Sequence, residues 1–191
     1  SPADQQIRAE LLFSKAYAHI LGAELYVGLP TTVLGEVKSP VELLNMAIAL
    51  LNEASALYST AADKDACTLL IARCHYGLGN MTEATNFANQ IVATPLLLRQ
   101  VKYGTQNGPS NNFQSAIFSN TTNWFAPLPR LDFLDPKYFH QTSNIFDDEK
   151  PIAIAKAEEA YLILAEVQAV QNNLTAVKQT LKDLLSNTIS K

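Results

Sequence analysis

The sequence predicts an all-α protein built from helical hairpins, interrupted once by an irregular, loop-rich segment. Apolar residues recur at three- and four-residue spacing through most of the chain, and small residues recur where paired helices would touch. Proline, glycine and aromatic residues mark a different stretch at residues 95–150. We therefore expect one domain over residues 1–191, with helical pairs at 7–58, 63–93 and 151–188.

The first predicted pair consists of a helix at 7–27 and a second at 40–58. Gly28 and Pro30 end the first helix. Ser39-Pro40-Val41-Glu42 is typical of a helix start, with a serine cap, a proline at the first position and an acid in the first turn. One face of the helix at 7–27 is formed by residues at three- and four-residue spacing: Leu11, Leu12, Lys15, Ala16, His19, Ile20 and Ala23. The predicted buried stripe of the helix at 40–58 contains Leu43, Leu44, Ala47, Ile48, Leu51 and Ala54.

The second and third pairs follow the same pattern. Helices at 63–78 and 81–93 are joined by a turn at 77–80, where glycine tolerates left-handed backbone angles. Helices at 151–171 and 174–188 form the last pair, and Pro151 is predicted to open it. Leu174, Val177, Leu181 and Leu184 are expected to pack the final helix back onto its partner.

Two of these pairs resemble each other. Residues 66–95 and 157–185 each contain an alanine-rich helix, a short turn with asparagine and a second helix with alanine near its start. In the first, the small residues and the closing proline stand near the positions of a tetratricopeptide repeat: Ala72, Gly79, Ala84, Ala88 and Pro95. Since small side chains let antiparallel helices approach closely, the pairs are expected to stack as tetratricopeptide-like hairpins.

Residues 8–18 read RAELLFSKAYA, and a turn at 26–30 (YVGLP) and a helix start at 39–42 (SPVE) follow in order. These segments resemble the first long helix, the turn and the next helix start of the SusD/RagB type of nutrient-binding lipoprotein. Residues 66–93 resemble the next helical pair, and 157–166 (AEEAYLILAE) the late helix, with Val167 in place of an alanine. The resemblance covers about two-thirds of the chain.

The resemblance implies a cell-surface protein that captures an oligo- or polysaccharide and hands it to a SusC-like TonB-dependent transporter in the outer membrane. Family members are usually longer and carry a lipidated cysteine near the N-terminus. Because the chain opens with Ser1-Pro2-Ala3 and lacks that cysteine and a signal peptide, we expect a short or trimmed member.

The candidate glycan site lies in the aromatic segment, 95–150. Sugars pack their C–H faces on flat aromatic rings, while amides and charged groups bind the hydroxyls. The proposed ligand-binding residues are Trp124, Phe125, Tyr103, Tyr138, Arg130 and Asn123. The alternative is that these aromatics anchor the segment onto the helices. A second functional hypothesis is a tetratricopeptide-like protein-interaction scaffold without a glycan site, which would bind its partner on the first helices of each pair.

Other function classes have less support. With 14 basic and 18 acidic residues the net charge is −4, and no basic run suggests nucleic-acid binding. No stretch of 18 apolar residues predicts a membrane span. No nucleophile, phosphate-loop or zinc-protease motif is present, so no enzyme activity or cofactor is expected. Adjacent acids on a helix, such as Glu158 and Glu159, point to different faces and make no catalytic dyad.

The two cysteines, Cys67 and Cys74, are predicted to be free. On one helix they would be separated by about 10 Å along the axis, whereas a disulfide requires Cα atoms within roughly 7 Å. A zinc site that includes His75 lacks a fourth ligand at standard spacing. We expect both thiols to be packed as small apolar groups.

Overall fold

The computed structural model describes residues 1–102 and 151–189, and this part of the chain is mostly helical. Its helices are α1 (Pro2–Leu25), α2 (Pro40–Leu57), α3 (Ala61–Gly77), α4 (Met81–Val92), α5 (Ala157–Val170) and α6 (Leu174–Leu184), which runs into a π-helix at Leu185–Ile189. Short strands are β1 (Leu29–Pro30), β2 (Val37–Lys38), β3 (Leu98–Val101) and β4 (Ile152–Lys156). The predicted all-α class with helical hairpins is confirmed.

The chain forms two compact units, Ser1–Leu98 with Ala155–Lys191, and Arg99–Ile154. The six helices of the described residues belong to the first unit. The described ends of the second unit lie in β3 and β4, which pair as a two-stranded sheet. The expectation of a single domain remains a prediction.

The helices pack as three successive pairs, α1 with α2, α3 with α4, and α5 with α6. Between pairs, α2 packs on α3, α4 packs on α5, and α3 also contacts α5. Small residues line these contacts and are fully buried: Ala9, Ala16, Ala47, Ala54, Ala66, Ala72, Ala84, Ala88, Ala157 and Ala160. Apart from the large side chains, most of the buried core is alanine. The helices can therefore pack closely, as the small residues of the sequence predict.

Helix α1 begins at Pro2, earlier than predicted, because Ser1 and Asp4 form a capping box. Its buried face also differs from the predicted one. Leu11 is 66% exposed, whereas Phe13 is buried and meets Tyr58 edge-on at a centroid distance of 6.4 Å. The apolar periodicity located the helix, but the packed side is centred on Phe13, Ala16 and Ile20 because α2 lies there.

Helix α2 agrees closely with the prediction. The backbone N–H of Ser39 donates to Glu42 Oε2 at 2.8 Å, and the N–H of Glu42 donates to Ser39 Oγ at 3.3 Å. Five of the six predicted stripe residues are buried: Leu43, Leu44, Ala47, Leu51 and Ala54. A local capping signal therefore fixed the start of this helix correctly.

The turn between α3 and α4 also forms as predicted. Gly79 has a φ of +77°, and its N–H donates to the Tyr76 carbonyl at 3.0 Å. The Asn80 N–H donates to the His75 carbonyl at 2.9 Å, which ends α3. Only glycine adopts this backbone angle without steric cost.

Cys67 and Cys74 on α3 form no disulfide with each other and both are buried, as predicted. Burial raises the pKa of Cys74 to about 12. The thiolate of Cys74 is therefore unpopulated at neutral pH, which is consistent with a packing role.

The start of the third pair was predicted wrongly. Pro151 does not open a helix; residues 152–156 form β4, and α5 begins at Ala157. The pairing of β4 with β3 outweighs the helix propensity of residues 152–156. At the start of α5, the Ala157 N–H donates to the Leu97 carbonyl at 3.0 Å. The stretch between α1 and α2 also contains two short strands, since β1 pairs antiparallel with β2.

The predicted packing of α6 was also partly wrong. Leu184 is buried, but Leu174 is 66% and Leu181 38% exposed. Val177 is half-buried, and among the described elements helix α6 packs chiefly on α5. Within residues 1–102 and 151–189, no helix has the length and apolar character needed to cross a membrane.

Candidate functional site

The predicted glycan-binding residues lie outside the described residues. This applies to Trp124, Phe125, Tyr103, Tyr138, Arg130 and Asn123 alike. The structure describes the chain up to Lys102 and again from Pro151, on either side of that segment. Because β3 and β4 are paired, the segment leaves and returns through neighbouring strands.

A pocket of about 440 Å³ opens on the first helices of the three pairs. We call it the three-helix pocket. It is lined by Glu24 of α1, by Arg73, Tyr76 and Gly77 of α3, and by Glu159, Leu162, Ile163 and Glu166 of α5. Its volume lies within the usual range for small-ligand sites, roughly 300–1,000 Å³.

Arg73 ties the three helices together at the base of this pocket. Its Nε donates to Glu24 Oε1 at 2.7 Å and its Nη2 donates to Glu24 Oε2 at 2.6 Å, which is a bidentate pair between α3 and α1. Arg73 Nε also lies 3.5 Å from Glu159 Oε1 on α5. Burial alone would lower the pKa of Arg73, but the two carboxylates outweigh it and raise this pKa above its ordinary value.

Tyr76 and Glu166 form a second polar contact across the pocket. The Tyr76 hydroxyl donates to Glu166 Oε2, which joins α3 to α5. This hydrogen bond to a carboxylate raises the pKa of Tyr76, so the phenol stays neutral. Glu166 is therefore bound to an uncharged partner, while Glu24 is bound to a cation.

The pocket combines acidic side chains with two aliphatic ones, Leu162 and Ile163. Its described lining residues include three carboxylates and one guanidinium, which together carry a formal charge of minus two. On α5, Glu159, Leu162, Ile163 and Glu166 follow the three-and-four spacing that places residues on one helical face. Glu158 points elsewhere and pairs with Lys156 at 3.2 Å, so the expectation that the two adjacent acids face different ways is confirmed.

Sequence reasoning did not find this pocket. The sequence places Arg73 and Tyr76 in the predicted helix at 63–78 and Glu24 in the one at 7–27, but does not bring them together. The one signal of this pocket in the sequence was the spacing on α5, where Glu159 and Glu166 flank Leu162 and Ile163. In the described part of the chain, no group of three histidine, cysteine, aspartate or glutamate residues is placed to hold a metal ion.

A second pocket of about 430 Å³ lies between the start of α3 and the residues that follow α4. It is lined by Ala61, Ala62, Asp65, Thr94, Pro95, Leu96 and Leu97. Asp65 is the one charged side chain among its described lining residues. It therefore offers apolar contact and little polar chemistry.

The comparison with solved structures identifies the architecture. A SusD-like carbohydrate binding protein from Bacteroides vulgatus ATCC 8482 superposes with a TM-score of 0.67 over 98% of this chain, at 17% sequence identity. The chain has a SusD-like fold. The resemblance read from the order of helical segments is thus confirmed at the level of the fold. No family model and no curated protein matches the chain.

This chain with a SusD-like fold is shorter than the Bacteroides vulgatus protein. The chain spans about half of that protein, since the alignment covers 56% of it. The first helices α1, α3 and α5 of the SusD-like fold carry the three-helix pocket, and the aromatic segment is inserted between β3 and β4.

Proposed function

We propose that this protein binds a glycan at the cell surface and works with a SusC-like TonB-dependent transporter of the outer membrane. The observation that carries the proposal is the likeness to a SusD-like carbohydrate binding protein along nearly the whole chain. In this proposal the protein is a surface lipoprotein that captures an oligo- or polysaccharide and passes it on, without converting it.

The proposed glycan contacts are Trp124, Phe125, Tyr103, Tyr138, Arg130 and Asn123. Aromatic rings offer flat apolar faces to sugar C–H groups, and the guanidinium and amide bind hydroxyls. The strands that precede and follow this segment in the sequence, β3 and β4, are paired.

The single tryptophan, Trp124, provides the test. Titration with a panel of soluble polysaccharides, from neutral glucans to acidic glycans, should change its intrinsic fluorescence for at least one member and raise the melting temperature. Trp124→Ala should weaken binding of that glycan, measured by calorimetry. Tyr26→Ala is a matched control, because Tyr26 is an aromatic residue 58% exposed on the helical unit.

The proposal fails if no glycan alters either signal, or if Trp124→Ala and Tyr26→Ala bind equally well. The transporter is tested separately by affinity purification of the tagged protein from native outer membranes in mild detergent. A TonB-dependent transporter should co-purify. Product analysis of the bound glycan should show an unchanged chain length, because no conversion is proposed.

A further inference from the structure

We propose that the hairpin between α1 and α2 is an interface between two copies of this chain, which pair along β2 in a two-fold symmetric dimer. The β1–β2 hairpin is defined here as residues 25–38. The dimer is independent of glycan binding, because it uses only this hairpin and the start of α2.

The β1–β2 hairpin exposes a cluster of apolar side chains. Val33 is 95% exposed and Leu34 is fully exposed. Six of the sixteen large apolar side chains that are exposed among the described residues belong to this short stretch: Leu25, Tyr26, Val27, Val33, Leu34 and Val37. Apolar residues exposed singly are ordinary, whereas such a cluster marks a surface that another molecule covers.

The tip of the hairpin is held in one shape by its turn. The Gly35 N–H donates to the Thr32 carbonyl at 3.0 Å, and a Cβ at position 35 would lie 2.2 Å from Thr32 Oγ1. Leu34 has a φ of +58°, an angle that leucine rarely adopts. The turn therefore presents Val33 and Leu34 in a fixed position, and little ordering is needed when a partner binds.

The outer edge of β2 is open to a further strand. In the described part of the chain β2 pairs only with β1, with Leu29 opposite Lys38 and Pro30 opposite Val37. Neighbouring residues of an antiparallel strand direct their backbone groups to opposite edges. Pro30 has no N–H to exchange with Val37, so Leu29 and Lys38 form the doubly hydrogen-bonded pair. Val37 therefore directs its N–H and carbonyl to the outer edge, where a second strand can pair.

The charges along this edge match those of a second copy. The strand reads Glu36-Val37-Lys38. When two copies pair antiparallel about an axis at Val37, each Glu36 lies opposite the partner's Lys38. Opposite charges in facing positions stabilise a strand pair. Glu36 is 89% exposed and lies 3.5 Å from Lys38 of its own strand, so it is accessible to a second cation.

The two-fold axis also gives the apolar tip a neighbour. Val33 precedes Val37 by four residues, and Val41 at the start of α2 follows it by four. Val41 is exposed as well. Because a two-fold interface uses the same patch on both copies, each tip lies toward the start of α2 in the other copy. A lipid surface would instead leave the charges of Glu36 and Lys38 without partners at the point of contact.

Sedimentation equilibrium of the full chain tests for the dimer between about 10 μM and about 1 mM, the range of a weak to moderate association. The average mass should rise from that of the monomer toward twice that value. Glu36→Lys and Lys38→Glu should each weaken the association about tenfold or more, because like charges then face one another. Glu83→Lys on the exposed first turn of α4 makes the same charge change and should leave the association unchanged.

A mixture of the two charge variants provides the sharpest test. An equimolar mixture of Glu36→Lys and Lys38→Glu should associate as the wild type does, because the two basic groups of one variant face the two acidic groups of the other. Only a two-fold pairing about Val37 predicts this recovery. Circular dichroism of each variant shows whether the helices are retained, so that a loss of association is not confused with unfolding.

A further pair of variants examines the apolar tip. Leu34→Asn removes the apolar contact with a residue that tolerates positive φ, so the turn is kept. It should weaken the association about three- to tenfold. Leu174→Asn is the matched control, because Leu174 is also an exposed leucine but lies on α6.

Four outcomes would overturn the proposal. The wild type remains a monomer at about 1 mM; the mixture of charge variants associates no better than either variant alone; or Leu174→Asn weakens the association as much as Leu34→Asn does. The fourth is a monomer that co-sediments with phosphatidylcholine vesicles and loses this binding in Leu34→Asn, which would assign the apolar cluster to lipid.

Discussion

Replacing Arg73 with methionine should destabilise the helical unit, because Arg73 is the shared cation of carboxylates from two other helices. Methionine has a similar length and keeps the apolar contacts of the stem. The substitution removes the guanidinium that Glu24 contacts at 2.6 and 2.7 Å and Glu159 at 3.5 Å. The Glu24 carboxylate then loses two charge-assisted hydrogen bonds in a partly buried setting, which opposes the packing of α1 against α3.

The size of this effect follows from the burial of the three side chains. Arg73 is 26% exposed, Glu24 36% and Glu159 27%. Breaking a fully buried ion pair costs about 3–5 kcal/mol, whereas a fully exposed pair contributes about 0–1 kcal/mol. The intermediate burial indicates a loss of about 2 kcal/mol, which for a unit of this size lowers the melting temperature by about 4–8 °C.

Urea unfolding followed by circular dichroism measures this loss. A double-mutant cycle with Glu24→Gln should give a coupling energy of about 1–2 kcal/mol, since the two hydrogen bonds join this pair directly. Arg8→Met is the matched control, because Arg8 pairs with Glu53 across α1 and α2 but is 66% exposed. It should cost less than about 1 kcal/mol. Equal losses for the two arginine variants, or no coupling in the cycle, would refute the reasoning.

Further predictions concern local features of the helices, each checked by urea unfolding unless stated. Ser39→Ala removes the α2 cap and should cost about 1 kcal/mol; no change would mean that the capping box is dispensable. Gly79→Ala meets no atom but forces alanine to the positive φ, so it should cost about 1–2 kcal/mol, whereas a neutral result would place the strain elsewhere. Phe13→Ala should cost about 3–5 kcal/mol, because Phe13 is 2% exposed against Tyr58. The Cys74 thiol, with its pKa raised to about 12, should resist a thiol reagent at pH 8 and react after unfolding; prompt native labelling would contradict its burial.

The parts of the fold that depend on local signals were predictable. The start of α2 needed only Ser39, Pro40 and Glu42, and the turn at Gly79 needed only a glycine after an apolar run. Strand β4 was missed because its state is decided by pairing with β3, some fifty positions away in the sequence. The alternation of Ile152 and Ile154 was the available hint, since β-branched residues favour strands.

Periodicity predicted where helices are, but not always which side is packed. Leu11 and Leu174 both fit an apolar stripe, yet both are largely exposed. A stripe becomes buried only where another helix covers it, and that depends on the order in which the pairs stack. The small residues were better guides, because close approach excludes larger side chains wherever helices meet.

The three-helix pocket could not be predicted from one sequence. Arg73 and Glu24 are 49 residues apart, and Tyr76 and Glu166 are 90 residues apart. Such contacts become visible only when the stacking of three helical pairs is known. The predicted glycan contacts around Trp124 remain a prediction, since they lie outside the described residues.

The linear stacking of helical pairs has a consequence for how the helical unit comes apart. Among the described residues, helix α3 is covered by α2, α4 and α5, whereas α6 contacts chiefly α5 and buries one leucine. In an array held by nearest-neighbour contacts, the free energy of local unfolding is lowest at the ends. Amide hydrogens of α3 should therefore exchange last and those of α6 first, so that the last helix frays while the middle of the array remains closed.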